Sequence, residues 1–218
     1  MRSNYATLVE GYQGGSFSIY AAVRPPRKKC LLSKTEYTPN VYQLNGCSLS
    51  YQVNRDLYLG SLTHYENFDF KDDILFVTDV NQNHQGYTFT VHPSQLASQS
   101  NEIKGIIVNM VDMIPNTCGN LPSIKVNYEP QSSESCSLKE KENEDIQIPF
   151  DDQKPTKEGE DWKLQNNILS LSGNSMNYTG YTFTIIGYAG MPGLVVDMTE
   201  LKANTCGNLP FVQINYLT

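Results

Sequence analysis

Apolar and polar residues alternate along much of the chain, the pattern of β-strands with one buried face. Ile124, Val126 and Tyr128 are separated by Lys125 and Asn127, and Val212, Ile214 and Tyr216 by Gln213 and Asn215. Tyr87, Phe89 and Val91 alternate with Thr88, Thr90 and His92; Tyr181, Phe183 and Ile185 continue the theme. Short apolar runs at residues 74–77, 106–108 and 194–196 suit buried strands, and residues 57–59 and 146–148 are further strand candidates. Residues 81–86 and 173–180 read as turns between strands, because Gly, Asn and Ser concentrate there. No window of about 12 residues carries a 3.6-residue period. The best helical candidates are short, at residues 94–100 and 199–203.

The pattern is duplicated. Asn-Thr-Cys-Gly-Asn-Leu-Pro occupies residues 116–122 and recurs letter for letter 88 positions later, at 204–210. Residues 105–128 align with 193–216 without a gap, and 12 of the 24 positions are identical. Upstream, Gly-Tyr-Thr-Phe-Thr at 86–90 matches 180–184 at an offset of 94, so the first copy holds six extra residues between the two blocks. They fall in residues 93–104, a polar stretch rich in Ser and Gln, which reads as an exposed surface excursion. A weaker third copy precedes these: Cys30 lies 88 positions before Cys118. Such periodicity is the signature of a repeat protein. The expected fold is all-β: two disulfide-linked, β-sandwich-like domains of about 88 residues at 43–130 and 131–218, preceded at 1–42 by the C-terminal half of a third unit. An immunoglobulin-like sandwich is the natural comparison for architecture alone, since Trp162 follows Cys136 too late for that family's spacing.

Cysteines refine the picture. Cys47 and Cys136 open their units while Cys118 and Cys206 close them, so equivalent bridges would be Cys47–Cys118 and Cys136–Cys206, leaving Cys30 unpaired. Each would close a loop of about 70 residues, worth on the order of 4 kcal/mol in the chain-entropy treatment. The rival scheme joins Cys30 to Cys47 and Cys118 to Cys136. Repeated cysteines without Cys-x-x-Cys spacing point to an oxidising compartment rather than zinc. The expectation is therefore a secreted, cell-surface or periplasmic protein, with a cytoplasmic home as the alternative. Residues 1–30 show no apolar leader, and no apolar run is long enough to span a bilayer, so no membrane insertion is expected. A net charge of −7 argues against a nucleic-acid partner. Acidic residues concentrate between 134 and 161, which reads as a solvated linker and polar edge. Arg24, Arg27, Lys28, Lys29 and Lys34 form a basic cluster read as a solvated loop.

Candidate chemistry is sparse. His64, His84 and His92 all belong to the first full unit, and no nucleophile elbow, zinc-protease motif or phosphate loop occurs. Asp69, Asp72, Asp73 and Asp79 suggest calcium, but their spacing is not that of an EF-hand loop, and a solvated rim is the plainer reading. Gly119 and Gly207 suit a positive φ beside the Cys, with Asn116 and Asn204 bonding the turn. Tyr178, Tyr188, Met191 and Pro192 sit in or beside turns of the second unit and are candidates for contact with a protein or glycan. Asn177-Tyr178-Thr179 is a formal glycosylation sequon. Neither metal nor cofactor is expected. The leading expectation is a non-enzymatic binding protein. The alternatives are an enzyme inhibitor or toxin-like effector acting through a loop, and a hydrolase with an unrecognised site around His64, His84 and the aspartates.

Overall fold

The computed structural model describes residues 42–44, 47–51, 54–96, 102–131, 138–140, 144–148, 156–173, 177–188 and 190–217. Cys30, Cys136 and the basic cluster lie outside them. The described residues all belong to one compact unit. Among the described residues the structure is all-β, with no helix. A short β1 (Tyr42–Leu44) lies at the start of the first full copy. That copy contributes β2 (Cys47–Tyr51), β3 (Arg55–Tyr58), β4 (Thr63–His64), β5 (Phe68–Lys71), β6 (Ile74–Val77), β7 (His84–His92), β8 (Ile107–Asn109) and β9 (Ser123–Tyr128). The second copy repeats the set as β10 (Lys139–Glu140), β11 (Glu144–Gln147), β12 (Thr156–Glu158), β13 (Trp162–Gln165), β14 (Ile168–Leu171), β15 (Tyr178–Ile186), β16 (Val195–Asp197) and β17 (Phe211–Leu217).

Two sheets hold these strands. One runs β1-β2-β7-β9-β17-β15-β10, with β3 also on β7 and β11 also on β15. The other runs β12-β13-β14-β16-β8-β6-β5-β4. Within each copy the chain passes back and forth between the sheets, and successive passes lie parallel, as in a β-solenoid. In the first copy β3, β7 and β9 are parallel neighbours in one sheet, and β6 and β8 in the other. The second copy does the same with β11, β15 and β17, and with β14 and β16. Alternation on β7 and β15 turns Tyr87, Phe89, Tyr181 and Phe183 inward, where all are buried. Phe89 meets Phe68 of the opposite sheet edge-on at 5.0 Å, and Phe183 meets Trp162 at 5.9 Å. Burial of these apolar faces against each other is the main favourable term in the fold.

Both copies feed both sheets, and they meet by antiparallel pairing. β8 pairs β16 with Val108 opposite Val196, its own counterpart. β9 pairs β17 with Lys125 opposite Gln213, again its own counterpart. A local twofold relation follows, and the contacts along the junction are reciprocal. Met110 N–H donates to the Leu194 carbonyl at 3.0 Å, and Met198 N–H to the Ile106 carbonyl at 3.1 Å. Tyr128 hydroxyl lies 3.4 Å from Met198 Sδ, and Tyr216 hydroxyl 3.6 Å from Met110 Sδ. A Cβ on Gly105 would lie 1.7 Å from the Met198 carbonyl oxygen, and one on Gly193 2.0 Å from that of Met110. Glycine is required there because two backbones touch.

Several sequence expectations need correction. Residues 81–86 and 173–180 are not wholly turns: β7 starts at His84 and β15 at Tyr178. Gly86 and Gly180 lie inside strands, where a Cβ would come within 2.1 Å of Ser123 Oγ and 2.2 Å of the Phe211 ring. The helical candidates fail: residues 94–96 and 199–203 are irregular or turn, and 97–100 lie outside the described residues. The acidic 134–161 stretch supplies edge strands, β10, β11 and β12, but it is not solvated throughout, since Ile146 and Ile148 are buried. The excursion at 93–104 is anchored, with Ser94 and Ile103 buried at its two ends.

Candidate functional site

The repeated heptapeptide forms the same turn twice. Asn116 Oδ1 accepts from the Cys118 N–H at 3.0 Å and the Asn120 N–H at 3.2 Å. Asn204 Oδ1 treats Cys206 and Asn208 identically. Gly119 and Gly207 have φ of 80° and 77° with open space around them, as expected for a left-handed position. The Asn116 amide donates to the His84 carbonyl and the Asn204 amide to the Tyr178 carbonyl, both at 3.2 Å. The turn therefore fastens the start of the long central strand in each copy. Asn116 and Asn204 are buried and bonded on both ends of the side chain, which marks them as framework.

Under that turn in the first copy lies a buried polar cluster. Asp79 Oδ1 meets His84 Nδ1 at 2.8 Å and accepts from the Tyr87 hydroxyl. Asp79 is fully buried, its Oδ2 has no hydrogen-bond partner, and its φ is 49°. Burial raises the Asp79 carboxyl above the usual range, against the hydrogen bonds from Tyr87 and His84, which lower it. The second copy solves the same problem differently. Gly173 stands where Asp79 does, with a φ of 59°, and Tyr178 stands for His84. The carboxylate comes from Asp161, the counterpart of Asn67, and it accepts from the Tyr181 hydroxyl at 3.2 Å. Each copy thus supplies one buried carboxylate to the tyrosine of its Gly-Tyr-Thr-Phe-Thr segment, from a different position. Sequence reading placed Asp79 on a solvated rim; comparison of Asn67 and Asp79 with Asp161 and Gly173 as a paired exchange was the available signal.

The other candidate residues disperse. His64 bonds Asp69 across the β4–β5 pair, and both side chains are exposed. Asp72 and Asp73 are the two turn residues of the β5–β6 hairpin, with φ of 51° and 60°, matched by Asn166 and Asn167 at 52° and 63°. Such mirror-image turns select Asp, Asn and Gly, which accounts for those aspartates without a ligand. Asp73 further accepts from the Gly60 N–H at 2.9 Å and pairs with Lys104 at 2.8 Å. Among the described residues no group of three His, Cys, Asp or Glu side chains converges as a metal site. Met191 is buried; Tyr178 and Tyr188 are partly buried against the core; Pro192 is exposed.

Exposed apolar residues divide the copies more sharply. Phe76, Val80, Val111 and Ile114 are 38%, 45%, 44% and 36% exposed. Phe76 lies opposite Asn109 across the β6–β8 pair, and the Asn109 side chain accepts from the Val111 N–H at 3.0 Å. Ile114 N–H donates to the Thr78 carbonyl at 2.8 Å, which brings the loop after β8 against the exit of β6. Their counterparts in the second copy are Ser170, Asn174, Thr199 and Lys202, all polar, of which Asn174 lies outside the described residues. The two copies share a core and differ on this surface. Sequence reading missed the contrast because Val and Ile there look like core residues. No family model, curated protein or solved structure matches the chain.

The exchange of carboxylates gives a test within one chain. Asn67→Asp should destabilise by placing a second carboxyl beside Asp79. Asp79→Gly should destabilise by removing the buried carboxylate that holds both the Tyr87 hydroxyl and the His84 ring, at about 1–3 kcal/mol. The double variant adopts the second copy's placement of the carboxylate and should be more stable than the sum of the singles by at least about 1 kcal/mol. Urea unfolding of the four proteins measures that coupling.

Proposed function

We propose that this protein is a non-enzymatic, secreted or surface-exposed binding protein that engages a protein partner through the exposed apolar residues of its first full copy. The observation that carries this reading is the contrast at Phe76, Val80, Val111 and Ile114, whose counterparts are polar on an otherwise equivalent framework. Exposed apolar side chains gathered on one surface mark an interaction site. The hydrolase alternative draws less support, because the His64 side chain is exposed while His84 and Asp79 are locked into a buried cluster.

An oxidising compartment is part of the proposal, with bridges Cys47–Cys118 and Cys136–Cys206. The strand registers support the pairing by bringing the right backbones together: Ser50 of β2 lies opposite His84, and the Thr117 N–H donates to the Gln82 carbonyl at 2.8 Å. In the second copy Lys139 of β10 lies opposite Tyr178, whose carbonyl holds the Asn204 side chain. Unreduced peptide mapping of protein made in an oxidising compartment should recover these two links, whereas a Cys118–Cys136 link would refute them.

Binding is tested by giving the first copy the surface of the second. Phe76→Ser with Ile114→Lys should leave the melting temperature within a few degrees of wild type. The same protein should lose the partners that wild type retains in proximity labelling on the producing cell. Retention of every partner by the variant would refute the reading.

A further inference from the structure

His92 is a group that the fold does not need twice. It closes β7 and is gripped from both sides. Its Nε2 lies 2.9 Å from Asp56 Oδ1 of β3, and its Nδ1 lies 3.0 Å from Glu129 Oε2 just beyond β9. Tyr58 of β3 stacks on the ring, with centroids 4.9 Å apart. From β3 the titratable groups facing His92 are thus Asp56 and Tyr58; from the segment after β9 it is Glu129. The ring nitrogens point to carboxylates on opposite sides, so the three groups do not converge on a metal. The second copy keeps an acid at Asp145, but Ile186 replaces His92, Leu217 replaces Glu129 and Gln147 replaces Tyr58. Ile186 lies opposite Leu217 in the strand register, an apolar pair that does not titrate.

We propose that His92, Asp56 and Glu129 form a pH-controlled fastener that ties β3 and the exit of β9 to β7 when the imidazole is protonated and releases one side when it is neutral. A neutral imidazole carries one N–H, so it can donate to one carboxylate while its bare nitrogen faces the lone pairs of the other. Partial burial alone would lower the histidine's proton affinity; the hydrogen bonds to Asp56 and Glu129 and their charges outweigh it and raise the value above the ordinary one. The sign follows from linkage. The stabilisation is fully present below the unfolded-state value near 6.5 and is lost as the pH climbs through the raised folded value. Among the described strands β3 pairs with β7 alone, so its loosening uncovers the edge of β7. The second copy supplies a pH-insensitive control in the same molecule.

The experiment compares two equivalent amides by hydrogen exchange in the full chain, corrected for intrinsic rates. Leu59 N–H donates to the His92 carbonyl at 3.1 Å, and Ile148 N–H to the Ile186 carbonyl at 2.7 Å. Between about pH 6 and about pH 9 the protection of Leu59 relative to Ile148 should fall by roughly tenfold in wild type. The ratio should stay flat in His92→Ile/Glu129→Leu, which carries the residues of the second copy. His92→Gln, which cannot be protonated, should be flat as well and keeps the test open if the double variant folds poorly. An imidazole resonance of His92 that titrates at or below the ordinary histidine value would overturn the proposal. So would parallel changes at both amides in wild type, or a wild-type profile in either variant.

Discussion

The close antiparallel contact between the copies is the constraint on which the remaining structure depends. It is made along β8–β16 and β9–β17, and it demands glycine at 105 and 193 because each backbone rests on a methionine carbonyl of the other copy. The buried hydroxyls of Tyr128 and Tyr216 bond the Ile106 and Leu194 N–H groups at 3.5 and 3.1 Å and reach the methionine sulfurs opposite. Burial holds both phenols well above their ordinary proton affinity, so they stay neutral and remain donors. A solenoid stack ends in an open strand edge, which invites association. Here each copy closes that edge with the other, and each sheet runs unbroken through both.

With the edge closed, the heptapeptide turn sets the other boundary of each copy. Asn116 and Asn204 turn their own loops and hold the first residues of β7 and β15. The central strands are thereby fixed at one end by a side-chain amide and along their length by parallel neighbours. The copies diverge where this framework makes no demand: in the carboxylate beneath the turn, the apolar surface around Phe76, and the histidine at the end of β7. A duplicated framework lets one half change its surface while the other keeps the fold together.

The strands and their inward faces were legible in the sequence because alternation survives in both copies and the repeat checks each assignment. Equivalence of the two units was legible too, down to the positive φ at Gly119. The mode of joining was not. Nothing in a strand's own pattern tells whether its neighbour is parallel, and Gly105 and Gly193 carry no sign that a carbonyl from the other copy sits against them. Gly86 and Gly180 misled as turn residues because glycine serves close approach and turns alike. The Asp79 cluster was hidden by position: an aspartate just after a strand normally faces water, and only the fold brings Tyr87 and His84 over it.

Calorimetric melting of the full chain, with and without Gly105→Ala, tests the central claim most directly. If the copies share one core through their junction, wild type melts in a single transition whose calorimetric and van't Hoff enthalpies agree. The added methyl, aimed at the Met198 carbonyl, should then lower that whole transition by several degrees or more. Two separable transitions in wild type, or a Gly105→Ala effect confined to one of them, would contradict the account.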